Sequence, residues 1–106
     1  MAVLTVQQIG FGTLMVPQAV SASDTFTADA DGLILEVING GASPDTVTVV
    51  DPGTTPAGSA ATNPTQSVAA GARRHFRIGP QFANSSGVVT VTHSFTTTVT
   101  CNLMRA

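Results

Sequence analysis

The chain has 106 residues, of which only 9% are charged, and its formal net charge is −2. A chain of this length fits one domain, which buries roughly two-thirds of its unfolded surface. Its charged fraction lies far below the about 25% of typical soluble domains. Four basic residues and a pI near 5.3 argue against nucleic-acid binding, which needs many cations to neutralise phosphates. Weak charge repulsion instead favours a protein that packs against partners, with biased genome composition as the alternative explanation.

A single cysteine, Cys101, excludes a disulfide within the chain. Its parity matches Val99 and Leu103, which predicts a buried and inert thiol. No apolar stretch is long enough for a membrane-spanning helix. The apolar run 9–16 has no preceding Lys or Arg, so we expect no signal peptide.

The strongest structural signal lies in residues 31–51. Two runs rich in β-branched residues flank the turn cluster 39–44, in which Asn39-Gly40 suits a positive φ. The sequence therefore predicts a β-hairpin here. Alternation with a period of two places one parity in the core: Leu33, Leu35, Val37, Val47 and Val49.

The same alternation predicts strands before and after this segment. Residues 2–9 read as one strand with Leu4 and Val6 on one face, and residues 24–27 as a short strand. A helix over 13–22 is opposed by Pro17. Residues 51–67 form a long loop with three prolines, either a docking segment or a passive crossover.

Three more strands are predicted in the second half of the chain. In residues 73–78, Phe76 and Ile78 are expected to face the core. Residues 88–93 and 99–103 flank a reversal at 94–98. Their predicted core parity is Val89, Val91, Val99, Cys101 and Leu103, and their predicted solvent parity is Thr90, Thr92, Thr100 and Asn102.

Seven or eight short strands spaced 8 to 12 residues apart predict an all-β, single-domain antiparallel β-sandwich. This spacing fits both an immunoglobulin-like and a jelly-roll topology. We expect an N-terminal arm or first strand in residues 1–23, and the body of the sandwich in residues 24–106.

Residues able to carry chemistry are few. His75 and His93 lie too far apart, with too few further ligands, to predict a zinc site. Asp29 and Asp31 lack the later acidic ligands of a calcium loop, and no Gly-x-Ser-x-Gly elbow is present. We therefore expect no catalytic residues, no metal, no cofactor and no enzymatic activity.

The charges are divided along the sequence. All six acids lie in residues 1–72, and all four arginines lie in residues 73–106. The two groups either pair within the fold, or the arginine-rich strand meets an acidic patch on a partner. The second interpretation makes Arg73, Arg74 and Arg77 candidate contact residues.

Several motifs together resemble small β-sandwich structural proteins of tailed bacteriophages, of the capsid decoration or cement type. They are the run 31–41, the strand 46–49, the Pro/Gly loop after it, the turn 68–71, the strand end 76–80 and the closing run 89–94. The resemblance covers most of residues 24–103, and residues 1–20 match least.

The resemblance implies a non-enzymatic virion protein on the capsid surface, made in the host cytoplasm. Its expected partners are the major capsid protein and other copies of itself, without nucleic acid or membrane. The alternatives are a head–tail connector or tail component, and a carbohydrate-binding or adhesin module. The expected contacts lie in the N-terminal arm, the 51–67 loop and the arginine-rich strand: Val3, Leu4, Thr54, Thr55, Pro56, Arg73, Arg74 and Arg77.

Overall fold

A computed structural model describes residues 2–105, which form ten strands and one turn of 3-10 helix at Pro80–Phe82. The strands are β1 (Ala2–Val3), β2 (Gln7–Gln8), β3 (Gln18–Ala19), β4 (Ser23–Thr27), β5 (Leu33–Asn39), β6 (Asp45–Val49), β7 (Thr65–Val68), β8 (Arg73–Ile78), β9 (Val88–His93) and β10 (Val99–Arg105).

The strands form two sheets. The first sheet has the order β1-β4-β9-β6-β7. In the second sheet, β10 pairs with β5, which pairs with β8, and the other edge of β10 is covered by the short strands β2 and β3. The predicted all-β sandwich is confirmed.

Four antiparallel pairs are nested along the chain, and this nesting distinguishes the two topologies. They are β3·β10, β4·β9, β5·β8 and β6·β7, each inside the one before. The chain is thus one long double-stranded hairpin, rolled up so that β10 also meets β5 and β9 also meets β6. This is the jelly-roll topology rather than the immunoglobulin one.

The nesting also gathers the connections at two ends of the sandwich. The segments 40–44, 69–72 and 94–98 meet at one end, which we name the turn end. There the Gly40 amide donates to the Thr98 carbonyl at 3.0 Å. The segments 28–32, 50–64 and 79–87 lie at the opposite loop end, where the Ala28 amide donates to the Gly87 carbonyl at 2.9 Å.

The core lies between the sheets and follows the alternation read from the sequence. All ten residues of the predicted core parities of β5, β6, β9 and β10 are buried. Ile78 is buried as expected, and Phe76 is partly buried against the same core. One predicted solvent-facing residue is wrong: Asn102 is only 5% exposed, because its amide packs beside Glu36 on the neighbouring strand.

The predicted hairpin over 31–51 is also wrong. Both runs are strands, but β5 lies in the second sheet and β6 in the first, so the segment between them crosses the sandwich. The glycines there allow close approach and do not supply a positive φ. A Cβ at Gly41 would overlap the Phe95 ring and lie 2.5 Å from the Thr97 carbonyl oxygen.

The N-terminal prediction needs correction as well. Residues 2–9 do not form one strand, since β1 pairs with β4 in the first sheet and β2 pairs with β10 in the second. The chain crosses between the sheets at Leu4, which is buried. No helix forms over 13–22, where β3 lies instead, and β7 begins inside the predicted 51–67 loop.

Candidate assembly surface

Residues 9–17, between β2 and β3, form a projecting segment that we name the apical loop. Among residues 2–105, four of the six large hydrophobic side chains recorded as exposed lie in it. Phe11 is 111% exposed and Leu14 86%, with Val16 and Ile9 also exposed. Contiguous exposed apolar side chains mark interaction sites in soluble proteins. The apical loop is therefore the main candidate surface for assembly.

A tight turn places Phe11 at the tip of this loop. The Gly10 amide donates to the Thr13 hydroxyl oxygen at 2.6 Å, and that hydroxyl donates to the Gly10 carbonyl at 3.1 Å. Gly12 has a φ of +78°, a conformation that favours glycine. This turn displays the Phe11 ring to solvent.

Two glutamine side chains hold the base of the loop. The Gln7 amide donates to the Val16 carbonyl and accepts from the Val16 amide, both at 3.0 Å. Gln18 makes the same reciprocal pair with Thr5, at 2.7 and 2.8 Å. Each side chain acts as an extra strand partner across the base. The apolar tip is thus presented on a fixed stem, which lowers the entropy cost of docking.

The two predicted contact residues of the N-terminal arm have different positions. Val3 is 80% exposed on β1. Leu4 is only 6% exposed and packs in the core, so its prediction as a contact residue is corrected. Apart from Val3, the exposed large apolar residues of the N-terminal segment 2–23 lie in the apical loop.

The arginine-rich strand is β8, an edge strand of the second sheet. Arg73 approaches Glu36 at 3.3 Å and His75 approaches the same carboxylate at 3.0 Å. The Asn102 amide donates to Glu36 at 2.8 Å, and this bond, with His75 and Arg73, holds the pKa of the Glu36 carboxyl below its ordinary value against the opposing effect of burial. Arg73 therefore already has an acidic partner within the fold.

Arg74 and Arg77 have no acidic partner within 4.0 Å among residues 2–105. Arg74 donates to the Ser67 carbonyl at 2.9 Å and so links the edges of the two sheets. Arg77 is exposed on the same strand. The charges divided along the sequence thus pair only in part inside the molecule.

The last predicted contact segment, Thr54 to Pro56, lies at the loop end and is exposed. Thr54 forms an isolated bridge with Ala60, and the Thr55 amide donates to the Ser59 carbonyl at 2.7 Å. These bonds make the tip of the 50–64 connection a small closed hairpin rather than an open coil. It lies at the opposite end of the sandwich from the turn end.

A polar pocket of about 490 Å³ also opens at the loop end, beside the C-terminal part of β10. Across it Arg105 binds Asp29 at 3.0 Å. The Asp31 backbone amide, and after it Arg105, keep the pKa of the Asp29 carboxyl below its ordinary value. This ion pair joins the first and second halves of the sequence within one molecule.

A second pocket, of about 280 Å³, lies where the edge strands β7 and β8 stand side by side. We name it the edge groove. Its apolar lining comes from Val49, Pro64, Phe76 and Phe82, with Gln66 and Arg77 also lining it. Both flanking strands end their sheets, so their outward backbone groups have no strand partner in the described chain.

A buried charged cluster, which sequence reasoning missed, lies at the turn end. His93 Nδ1 is 2.6 Å from an Asp45 carboxylate oxygen, and its Nε2 is 3.6 Å from one of Asp24. Both aspartates are fully buried. The hydroxyl of Ser21 donates to Asp24, and the Ser94 amide donates to Asp45.

The alternation of β9 held the signal for this cluster, since His93 shares the parity of the buried Val89 and Val91. The His93 ring is within hydrogen-bonding distance of Asp45, whereas 3.6 Å to Asp24 is too long for a hydrogen bond. Burial, and then the nearby Asp24 charge, raise the pKa of the Cys101 thiol to about 12. The side chains of His93, Asp24 and Asp45 are at most 1% exposed, and the cluster joins β4, β6 and β9 in the interior.

Within residues 2–105 no group of three or more His, Cys, Asp or Glu side chains is arranged to hold a metal ion. No helix in that range is long and apolar enough to cross a membrane. Comparison of the chain with protein-family models, with curated proteins and with solved structures gives no match. The function of the protein therefore has to be inferred from its own residues and surfaces.

Proposed function

We propose that this chain is a non-enzymatic structural protein of a virion that binds the capsid shell as a decoration or cement protein. The apical loop carries the proposal. A fixed stem holds Phe11 and Leu14 in water, on a protein whose surface has little charge to keep copies apart. Exposing apolar side chains to water is unfavourable in free energy, and burying them in an assembly is favourable.

The topology gives independent support by analogy. Jelly rolls recur in viral capsid proteins, and also in lectin domains and cupins. A fold hosts many functions, so this observation supports a virion role without establishing it. The two histidines support the non-enzymatic part of the proposal, because His93 is buried between carboxylates and His75 is paired with Glu36.

The proposed shell contacts are the tip of the 50–64 connection at the loop end and, along β8, Arg74 and Arg77, whose side chains alternate to opposite faces of the strand. Guanidinium groups without an acidic partner can bind carboxylates of a capsid protein through two parallel hydrogen bonds. Thr54, Thr55 and Pro56 add a compact and uncharged contact at the loop end. The shell therefore has to supply carboxylates opposite β8.

The experiment is co-sedimentation of the purified protein with empty shells of the virus that encodes it, with copies counted per shell. Hundreds of copies on the mature shell would support decoration. A handful per particle would indicate the head–tail junction instead. Absence of binding would overturn the proposal and leave a carbohydrate-binding module to be tested on a glycan array.

A matched pair of variants tests the contact surface. Arg74→Ser combined with Arg77→Ser should lower the number of bound copies, while Arg105→Ser, which removes an arginine already paired with Asp29, should leave it unchanged. Equal binding by the double variant and the native protein would show that β8 does not face the shell.

A further inference from the structure

We propose that copies of this chain associate head to tail, with the apical loop of one copy inserted into the edge groove of the next. This deepens the proposed function, because it names what covers the apical loop. It predicts an interaction that forms without any shell, so the two proposals can fail separately.

The positions of the two surfaces support this arrangement. The apical loop leaves from β2 and β3, which cover one edge of β10, whereas the edge groove lies beyond β5 and β8, at the opposite edge of the same sheet. Both lie towards the loop end, since the Ile9 amide bonds the Arg105 carbonyl and the groove is lined by Val49 and Pro64. A projection on one edge and a recess on the opposite edge produce a directional contact that closes into rings or extends into chains.

The chemistry and size of the two surfaces also match. A cavity of about 150 Å³ lined by apolar side chains accommodates a benzene ring, so a groove of about 280 Å³ has room for the Phe11 ring and part of Leu14. Phe76 and Phe82 in the lining of the groove add aromatic surface against which the Phe11 ring can pack.

The backbone adds a second kind of complementarity. The groove is flanked by β7 and β8, whose outer edges lack strand partners in the described chain. Backbone groups on either side of the turn between Gly10 and Thr13 of an inserted loop can bond to these open edges. Because the loop stem is fixed by Gln7 and Gln18, little conformational entropy is lost on insertion.

The first test is sedimentation of the protein alone over roughly a hundredfold range of concentration, since association follows mass action. The native protein should form oligomers. Phe11→Ser should weaken association on the order of tenfold or more, because the ring is a central apolar anchor. Ile34→Thr, which alters an apolar residue 43% exposed on the outer face of the second sheet, serves as the control.

Crosslinking then tests the partner surface directly. Val16→Cys, which keeps the Phe11 ring, together with Gln66→Cys places one thiol at the exposed base of the loop and one on exposed β7 beside the groove. A short bis-maleimide should join this double variant into chains of three or more copies, whereas each single variant should give no such chains. Cys101 should not react, because it is fully buried.

Three results would overturn the inference. They are a native protein that stays monomeric, oligomers that persist unchanged in Phe11→Ser, and a double-cysteine variant that gives no chain longer than a dimer. If Phe11→Ser instead abolishes shell binding by a monomeric protein, the shell and not a second copy covers the loop.

Discussion

Replacing His93 by Ala should destabilise this protein far more than replacing His75 by Ala. The two histidines form a matched pair, since each lies beside a carboxylate. His93 on the central strand β9 contacts Asp45, and His75 on the edge strand β8 contacts Glu36. The His93 side chain is 1% exposed, whereas that of His75 is 57% exposed. Water can replace the lost partner of Glu36, but it cannot reach Asp24 and Asp45.

The expected magnitudes follow from that difference. Removing the His93 ring takes away a hydrogen-bonded partner of the buried Asp45 carboxylate, and breaking a buried pair of this kind costs about 3–5 kcal/mol. An exposed pair contributes about 0.2–1 kcal/mol. At a denaturation slope of about 1.5 kcal/mol per M urea, His93→Ala should lower the unfolding midpoint by about 2–3 M, and His75→Ala by less than about 1 M.

Equilibrium urea unfolding at neutral pH measures both variants. Adding Asp45→Asn to His93→Ala should recover about 1 kcal/mol, since it removes a buried carboxylate charge that has lost its ring partner while the Ser94 and Phe95 amides keep an oxygen acceptor. If His93→Ala and His75→Ala lie within about 1 kcal/mol of each other, the reasoning about the buried cluster is wrong. The same holds if the added Asp45→Asn only destabilises further.

Three further expectations follow from the structure. The lowered pKa of Glu36 contributes stability that is present above its ordinary value of 4.5 and is lost as pH falls through the folded value. Glu36→Gln should therefore lose less stability in acid than the native protein does, as measured by urea unfolding at a series of pH values. Gly41→Ala should cost about 1–3 kcal/mol in urea unfolding through overlap with Phe95, whereas Gly10→Ala, whose Cβ would meet its nearest atom at 3.5 Å, should cost less than half as much. Cys101, with a pKa raised to about 12, should resist a thiol reagent at pH 8 in the folded protein and react fully in denaturant; rapid reaction without denaturant would contradict its burial.

Alternation along the chain was enough to predict the strands and most of the core. Inward and outward faces depend only on parity, so the buried residues of β5, β6, β9 and β10 were predicted even though the pairing of β5 with β6 was wrong. Pairing depends on where the chain crosses between sheets, and a turn such as 39–44 serves a hairpin and a crossing equally well.

The candidate assembly surface was harder to predict. Alternation already places Leu4 and Val3 on opposite faces, but it does not say which of the two faces packs in the core. The apolar run 9–16 was visible in the sequence, but its exposure depends on the Gln7 and Gln18 bonds across the loop base. Side-chain bonds to a distant backbone leave no periodic signal.

The nested order of strand pairs sets the sequence in which the molecule can become competent to assemble. The innermost pair, β6·β7, joins segments close along the chain, and each outer pair joins segments farther apart. Loop closure costs more entropy as separation grows, so we expect pairing to proceed outward and β3·β10 to close last. The apical loop directly precedes β3, so it becomes fixed at both ends only when this last pair forms. A newly made chain would thus form the ordered apical loop only after its core has folded. Association through this loop would then be restricted to folded subunits.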